Sequence, residues 1–127
     1  MTEKRTEAHE KRPKLERHLP LKANWFHILL SLAEEERHGY AVMQEVLQRT
    51  GGEVRLWPAT LYGSMRQLQD AGLIEECQDA PAEDDDSRRR YFRISALGRD
   101  LLDAEAERLR SLADMVRSRN LRSQAQS

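Results

Sequence analysis

The apolar residues of this chain change their spacing twice, and no other feature of the sequence constrains the fold as strongly. Between residues 21 and 72 they recur every three or four positions, which is the period of an amphipathic α-helix. Over "LIEEC" and "RRRYFRI" the spacing partly alternates, as in β-strands, and after Ser95 the helical period returns. The predicted order is therefore helix, helix, helix, hairpin and long helix.

The spacing places three short helices before the hairpin. The first begins after Pro20, the second covers about 38–50 and ends at a pair of glycines, and the third covers 57–72. Pro58 suits the first position of the third helix, and Gly72 suits a left-handed exit. The residues expected to face the core are Leu21, Trp25, Ile28, Leu29 and Leu32, then Tyr40, Met43, Val46 and Leu47, then Leu61, Met65 and Leu68.

The chain divides into three predicted parts. Residues 1–20 are polar on every side and rich in lysine and arginine, so they are expected to form a flexible basic arm. Residues 21–95 form the folded domain, for which a chain of 127 residues provides one core of ordinary size. Residues 96–127 form a long helix, with Ser95 as its N-cap, and a frayed tail.

Three short helices followed by a two-stranded hairpin form the pattern of a winged helix-turn-helix domain. The predicted fold is thus mainly α with a small β-hairpin, extended by a long C-terminal helix. In this architecture the third helix enters the major groove of DNA, which is about 12 Å wide and admits one helix. The hairpin is the wing beside it.

The third helix has a second side, polar and partly small, which packing does not require. Small residues allow the backbone to approach DNA closely, hydroxyl groups bind phosphate, and an arginine binds guanine or phosphate. Tyr62 also fits an alternative position at the edge of the core, with its hydroxyl in water. The candidate DNA contacts on this helix are Thr60, Tyr62, Gly63, Ser64, Arg66 and Gln67.

Other candidate contacts lie outside the third helix, at Lys22, Tyr40, Arg88, Arg89 and Arg90. The arginines, with Arg93, form the strongest basic cluster and follow the third helix at the distance of a wing, which favours phosphate contact over a solvated surface run. The acidic run 83–86 just before them would be repelled by phosphate. Tyr40 either covers the core or binds phosphate through its hydroxyl, and Lys22 is either a phosphate contact or a solvated lysine.

Three ordered blocks of the sequence resemble the signatures of PadR-type transcriptional regulators. They are "ILLSLAEEERHGYAVMQEV", "PATLYGSMRQLQDAGLIEE" and "RRRYFRISALGRDLL", and the resemblance covers about residues 25–105. It implies a homodimeric repressor whose C-terminal helix forms the dimer contact. Ala59 and Gly63 depart from the family pattern at the expected DNA surface, so no operator sequence carries over from the family.

The apolar stripe of the long helix agrees with a dimer contact, because a helix that extends beyond a small core more often meets a partner. The candidate dimerisation residues are Leu101, Leu102, Leu109, Leu112 and Val116. Two-fold symmetry would then place two recognition helices about 34–36 Å apart on a palindromic double-stranded DNA site. The alternative is a winged-helix adaptor that binds other proteins and little or no DNA.

Several functional classes find no support in the sequence. There is no glycine-rich phosphate loop and no nucleophile with a nearby base, so an enzyme is not expected. The four histidines and Cys77 lack metal-ligand spacing, and neither a metal nor a cofactor is expected. No run reaches the roughly 20 apolar residues of a membrane span, so a cytoplasmic protein is expected. The sequence does not identify a small-molecule effector.

Overall fold

The structure, a computed structural model, describes residues 14–77 and 90–126 of the chain. From residue 21 onward the described residues form four helices and three strands, in the predicted order except that the first, short strand is additional. They are α1 (Ala23–Glu34), β1 (Arg37–His38), α2 (Gly39–Arg49), α3 (Pro58–Asp70), β2 (Ile74–Cys77), β3 (Tyr91–Ile94) and α4 (Ala96–Gln126). The predicted fold class, mainly helical with a winged helix-turn-helix arrangement, is confirmed.

The core is formed by the apolar sides of α1, α2 and α3 together with the sheet. On α1 the predicted stripe is buried, and on α3 the predicted set Leu61, Met65 and Leu68 is at most 2% exposed. The expected inward side of α2 was partly wrong, because Val42 and Val46 are fully buried whereas Tyr40 is 51% exposed. The buried side of α2 contains Val42 and lies roughly half a turn around the helix from Tyr40, because the two residues are two positions apart.

Local capping defines the start of α2 and the end of α3. His38 is the N-cap of α2, and its Nδ1 accepts a hydrogen bond from the backbone N–H of Ala41 at 3.1 Å. At the end of α3, Gly72 has a φ of +74°. There the N–H of Leu73 donates to the carbonyl of Leu68 at 2.9 Å, which closes the helix as a Schellman motif. The exit at Gly72 agrees with the sequence prediction, whereas the sequence analysis did not identify His38 as a cap.

The sheet has three antiparallel strands in the order β1-β3-β2, rather than the two of the predicted hairpin. The added strand β1 pairs Arg37 with Phe92 and His38 with Tyr91. Two residues are too few for an alternating pattern, so periodicity could not reveal this strand. The predicted strand 88–94 begins at Tyr91, and the acidic run 83–86 lies outside the described residues.

The start of α4 is fixed against the end of α3 and the start of β2. Ser95 is the N-cap, as predicted: its Oγ accepts from the N–H of Gly98 at 3.0 Å and donates to the carbonyl of Gly72 at 2.7 Å. The Cα of Gly98 lies so close to the β2 backbone that an added Cβ would be 2.2 Å from the carbonyl oxygen of Leu73. Only glycine allows this approach.

The chain divides into two compact units, and α4 contributes to both. One unit is residues 21–102, and the described residues of the other are 14–20 and 103–126. Leu101 lies in the first unit and is fully buried, so its expected role in dimerisation is wrong: its side chain is part of the core of its own unit. Leu102 is half-buried. The division at residues 20 and 95 stays a prediction.

Candidate nucleic-acid interface

The exposed side of α3 carries small residues around Arg66 and ends at the carboxylate of Asp70. Ala59, Gly63 and Arg66 are all exposed, and their spacing places them together on the side of the helix opposite Leu61 and Leu68. No heavy atom other than its chain neighbours and its own helix lies within 4 Å of a Cβ built on Gly63, so the surface there is open. A helix with this side can approach another surface closely.

Ser64 does not belong to that exposed side. It is 7% exposed and lies with the inward-facing residues of the helix, one turn after Leu61. The sequence prediction that it faces DNA was therefore wrong. A serine is small enough to be accommodated where α1 and α3 pack together, and its polarity alone misled the sequence interpretation.

Tyr62 lies at one edge of the exposed side and packs over the start of α2. A Cβ added to Gly39 would lie 2.8 Å from Cε1 of the Tyr62 ring, although Tyr62 remains 56% exposed. The second tyrosine, Tyr40, lies beside the capping histidine: the rings of His38 and Tyr40 are parallel within 9°, with centroids 6.5 Å apart. Both phenol groups are therefore accessible, which removes the alternative that Tyr40 covers the core.

The other edge of the exposed side borders a shallow cleft between the start of α1 and α3. Thr60 and Gln67 line it from α3, and Lys22 and Trp25 line it from α1. Trp25 Nε1 donates a hydrogen bond to Gln67 Oε1 at 3.3 Å, and the Lys22 ammonium lies 5.4 Å from the centroid of the indole ring. The sequence offered Lys22 and Gln67 as separate candidates, and the structure brings them together through Trp25.

The part of the wing that the structure describes carries paired charges. Arg90 binds Glu76 through two hydrogen bonds of 2.8 and 2.6 Å, and Arg93 binds Glu75 at 3.1 Å. The hydrogen bond from Arg90 lowers the pKa of Glu76, and the same bond raises the pKa of Arg90. Arg90 thus has a carboxylate partner already, while Arg88 and Arg89 lie outside the described residues.

Cys77, at the end of β2, is a half-buried thiol. Burial raises its pKa, and the nearby Glu36 carboxylate raises it further. The neutral thiol is therefore favoured over the reactive thiolate. Across the described ranges 14–77 and 90–126, no three histidine, cysteine, aspartate or glutamate side chains form a group able to hold a metal.

The second unit carries a separate apolar surface on α4. Leu109, Leu112 and Val116 are 43–58% exposed and follow helical spacing along one side of the helix, and Met115, 56% exposed, lies beside them. The sequence prediction missed Met115, although its spacing of three residues from Leu112 was a usable signal. We refer to these four residues as the α4 apolar stripe.

The elements and the exposed third helix define a winged helix-turn-helix protein. More specifically, residues 28–104 match the model of the transcriptional regulator PadR-like family. The chain belongs to that family, as the sequence blocks predicted. None of the helices within the described residues is both long and apolar enough to cross a membrane.

Solved structures share this fold at low sequence identity. A PadR family transcription regulator from Clostridium difficile R20291 is 20% identical, with a TM-score of 0.65 over 76% of this chain and 97% of that one. A transcriptional regulator from Clostridium thermocellum is 21% identical, with a TM-score of 0.64 over 75% and 87%. RosR of H. salinarum is 22% identical, with a TM-score of 0.58 over 84% and 98%.

Two curated relatives are similar in sequence, and both are described as uncharacterized. Protein X of Lysinibacillus sphaericus is 33% identical over 72 residues, which are 57% of this chain and 64% of that protein. A 37.1 kDa protein in transposon TN4556 of Streptomyces fradiae is 34% identical over 89 residues, 70% of this chain and 24% of that protein. The chain therefore spans less than two thirds of the length of either relative.

Proposed function

We propose that this protein is a sequence-specific DNA-binding transcriptional regulator, a homodimer that represses by occupying a palindromic operator in double-stranded DNA. The observation that carries the proposal is the exposed side of α3, where Arg66 stands among the small residues Ala59 and Gly63. An α-helix of this shape fits the major groove, and an arginine there can bind both acceptors of a guanine edge.

The surroundings of Arg66 support a nucleic acid as the partner. Tyr62 and Thr60 at the two edges of α3 offer hydroxyl groups, and Lys22 adds an ammonium group at the cleft. These groups donate hydrogen bonds or carry positive charge, as phosphate and sugar contacts require. In this proposal they fix the position of α3 on the duplex while Arg66 contacts a base.

The α4 apolar stripe supports a homodimer. Four large apolar side chains on one side of a helix form a surface that soluble proteins usually cover with a partner. A second copy of the same helix offers a matching stripe, and two-fold pairing closes the assembly. The dimer would present two α3 helices to a palindrome with half-sites about one helical turn apart.

The paired charges of the wing support a second candidate, an adaptor that binds another protein. Glu76 and Glu75 neutralise Arg90 and Arg93 on the described strands, which weakens the electrostatic attraction that DNA binding normally requires. Such an adaptor would use the same exposed side of α3 for a protein surface.

Selection of bound duplexes from a random pool, at low and at moderate salt, separates the two candidates. The regulator should enrich a palindrome, and its affinity for that duplex should fall with salt with a log–log slope near −0.9 per phosphate contact. Absence of any enriched sequence, with no retention of DNA at either salt, would reject the regulator and favour the adaptor.

A further inference from the structure

One hydrogen bond between α1 and α3 fixes the orientation of a candidate base-reading side chain. Trp25 Nε1 and Gln67 Oε1 are 3.3 Å apart, and Trp25 is only 8% exposed. An indole N–H donates and never accepts, so the amide of Gln67 has to turn its oxygen toward it. The indole N–H of Trp25 thus distinguishes the oxygen of the Gln67 amide from its NH2 group, which have similar shapes.

The consequence is that the oxygen of Gln67 faces Trp25, while its NH2 group faces away from the indole and is available to a ligand. Glutamine ordinarily recognises adenine with both groups, its oxygen accepting from N6 and its NH2 group donating to N7. Here the oxygen is directed at a buried ring, whereas the NH2 group has no hydrogen-bond partner within the described part of the chain. A two-group contact with adenine would require this same oxygen to accept from N6 as well as from Trp25.

The residues around Gln67 also offer hydrogen-bond donors and positive charge. The Lys22 ammonium lies 5.4 Å from the centroid of the Trp25 ring, and the hydroxyl of Thr60 lines the same cleft. Of the described residues that line this cleft, none carries a carboxylate. The cleft therefore favours a ligand that presents hydrogen-bond acceptors or negative charge.

We propose that Trp25 is a positioning residue that turns the NH2 group of Gln67 outward, so that Gln67 recognises an acceptor on DNA through this group and does not bind adenine through both its groups. The acceptor is N7 of either purine, O6 of guanine, O4 of thymine, or a phosphate oxygen. This inference rests on the proposed DNA-binding function and specifies what one position of the interface reads.

The first test repeats the duplex selection with the wild-type protein, Gln67→Ala and the control Gln48→Ala, an exposed glutamine on α2. If Gln67 reads a base, Gln67→Ala should lose a purine or thymine preference at one position per half-site. The affinity for the wild-type sequence should then fall roughly 5- to 150-fold. A similar loss on every duplex identifies the acceptor as phosphate. Gln48→Ala should retain the wild-type motif.

The second test distinguishes a donor from a two-group contact. Gln67→Lys keeps a hydrogen-bond donor, so it should retain the contact with the base acceptor or the phosphate, whichever the first test identifies. Gln67→Glu removes the donor and should lose that contact. Trp25→Phe removes the indole N–H while keeping an aromatic ring. The amide of Gln67 can then rotate. If Gln67 reads a base, adenine should be better tolerated at that position. If Gln67 binds phosphate, Gln67→Ala should reduce affinity less in the Trp25→Phe background than in the wild type. Circular dichroism melting confirms that each variant is folded.

Two results would overturn the inference while leaving the proposed function intact. One is a wild-type motif with adenine at the Gln67-dependent position, in which both groups of adenine are needed. Binding would then weaken on replacement by purine, which lacks the N6 amino group, and on replacement by 7-deazaadenine, which lacks N7. The other is a Gln67→Ala variant that binds every duplex as well as the wild-type protein, while Arg66→Ala does not. Failure of the wild-type protein to bind any duplex would overturn the proposed function and this inference together.

Discussion

The ring of Tyr62 on α3 lies directly against Gly39, the first residue of α2, at a distance that leaves no space for a side chain at position 39. A Cβ there would be 2.8 Å from Cε1 and 3.2 Å from the hydroxyl oxygen of Tyr62. The glycine of the His38-Gly39-Tyr40 block and the tyrosine of the Thr60-Leu61-Tyr62 block thus depend on each other. The contact determines where the Tyr62 hydroxyl lies at the candidate interface.

Replacing Gly39 by alanine should displace the Tyr62 ring without unfolding the domain, because the obstructing atoms belong to the movable end of a side chain. We expect affinity for the selected duplex to fall by about 1 kcal/mol, with a change in stability that is smaller. Anisotropy titration and thermal melting measure the two quantities. In a Tyr62→Ala background the added methyl group should have no further effect on affinity, and a full additional loss would contradict the role of this contact.

Gly98→Ala should destabilise the fold, because the added Cβ meets the backbone oxygen of Leu73 at 2.2 Å and Cγ1 of Ile94 at 2.8 Å. Overpacking of this kind costs about 1–3 kcal/mol, and backbone atoms yield less readily than side chains. Gly63→Ala is the matched control, because its Cβ meets nothing within 4 Å. It should stabilise α3 by about 0.5–1 kcal/mol. If urea unfolding shows that both variants change the free energy of unfolding in the same direction, this explanation of the packing is wrong.

Glu76→Gln should strengthen DNA binding, because it releases Arg90 from the two hydrogen bonds that hold it. A released arginine can contact a phosphate, which should steepen the log–log salt slope by about 0.9. Glu107→Gln, which releases Arg110 on α4 with the same change in net charge, is the control and should leave the slope unchanged. Equal slopes for the wild type and Glu76→Gln would show that Arg90 does not reach DNA.

Leu109→Asp should dissociate the proposed dimer, since it places a carboxylate in the α4 apolar stripe and leaves it without a partner when buried. The penalty for burying an unpaired charge is several kcal/mol, about enough to shift a micromolar dimer to monomer. Sedimentation velocity at micromolar concentration reads out the result. Arg110→Asp, on the side of the helix away from the stripe, should remain dimeric. A Leu109→Asp variant that remains dimeric as well would refute the stripe as the contact.

Local rules explain what the sequence predicted well. Pro58, Gly72 and Ser95 mark helix ends through backbone geometry and capping that involve only near neighbours, and the structure has each of them in the expected role. The inward side of α3 followed from helical spacing in the same way. Such features are readable because they do not depend on where distant parts of the chain lie.

The features that the sequence did not predict depend on tertiary contacts. The strand Arg37–His38 exists only because β3 lies beside it, and the pairing of Arg90 with Glu76 requires the register of β2 and β3. Ser64 is polar but buried, and Leu101 continues an apolar stripe yet belongs to the core. Spacing along one helix cannot show which part of that helix meets its own domain.

We predict that α3 reads DNA through Arg66, and paired affinity measurements test this most directly. Wild-type protein, Arg66→Ala and the control Arg110→Ala are titrated against the selected palindrome and against a scrambled duplex at one fixed salt concentration. Arg66→Ala should lose about 1–3 kcal/mol on the palindrome and less on the scrambled duplex. Arg110→Ala should match the wild type on both. A folded Arg66→Ala protein that binds the palindrome as tightly as the wild type would contradict the account.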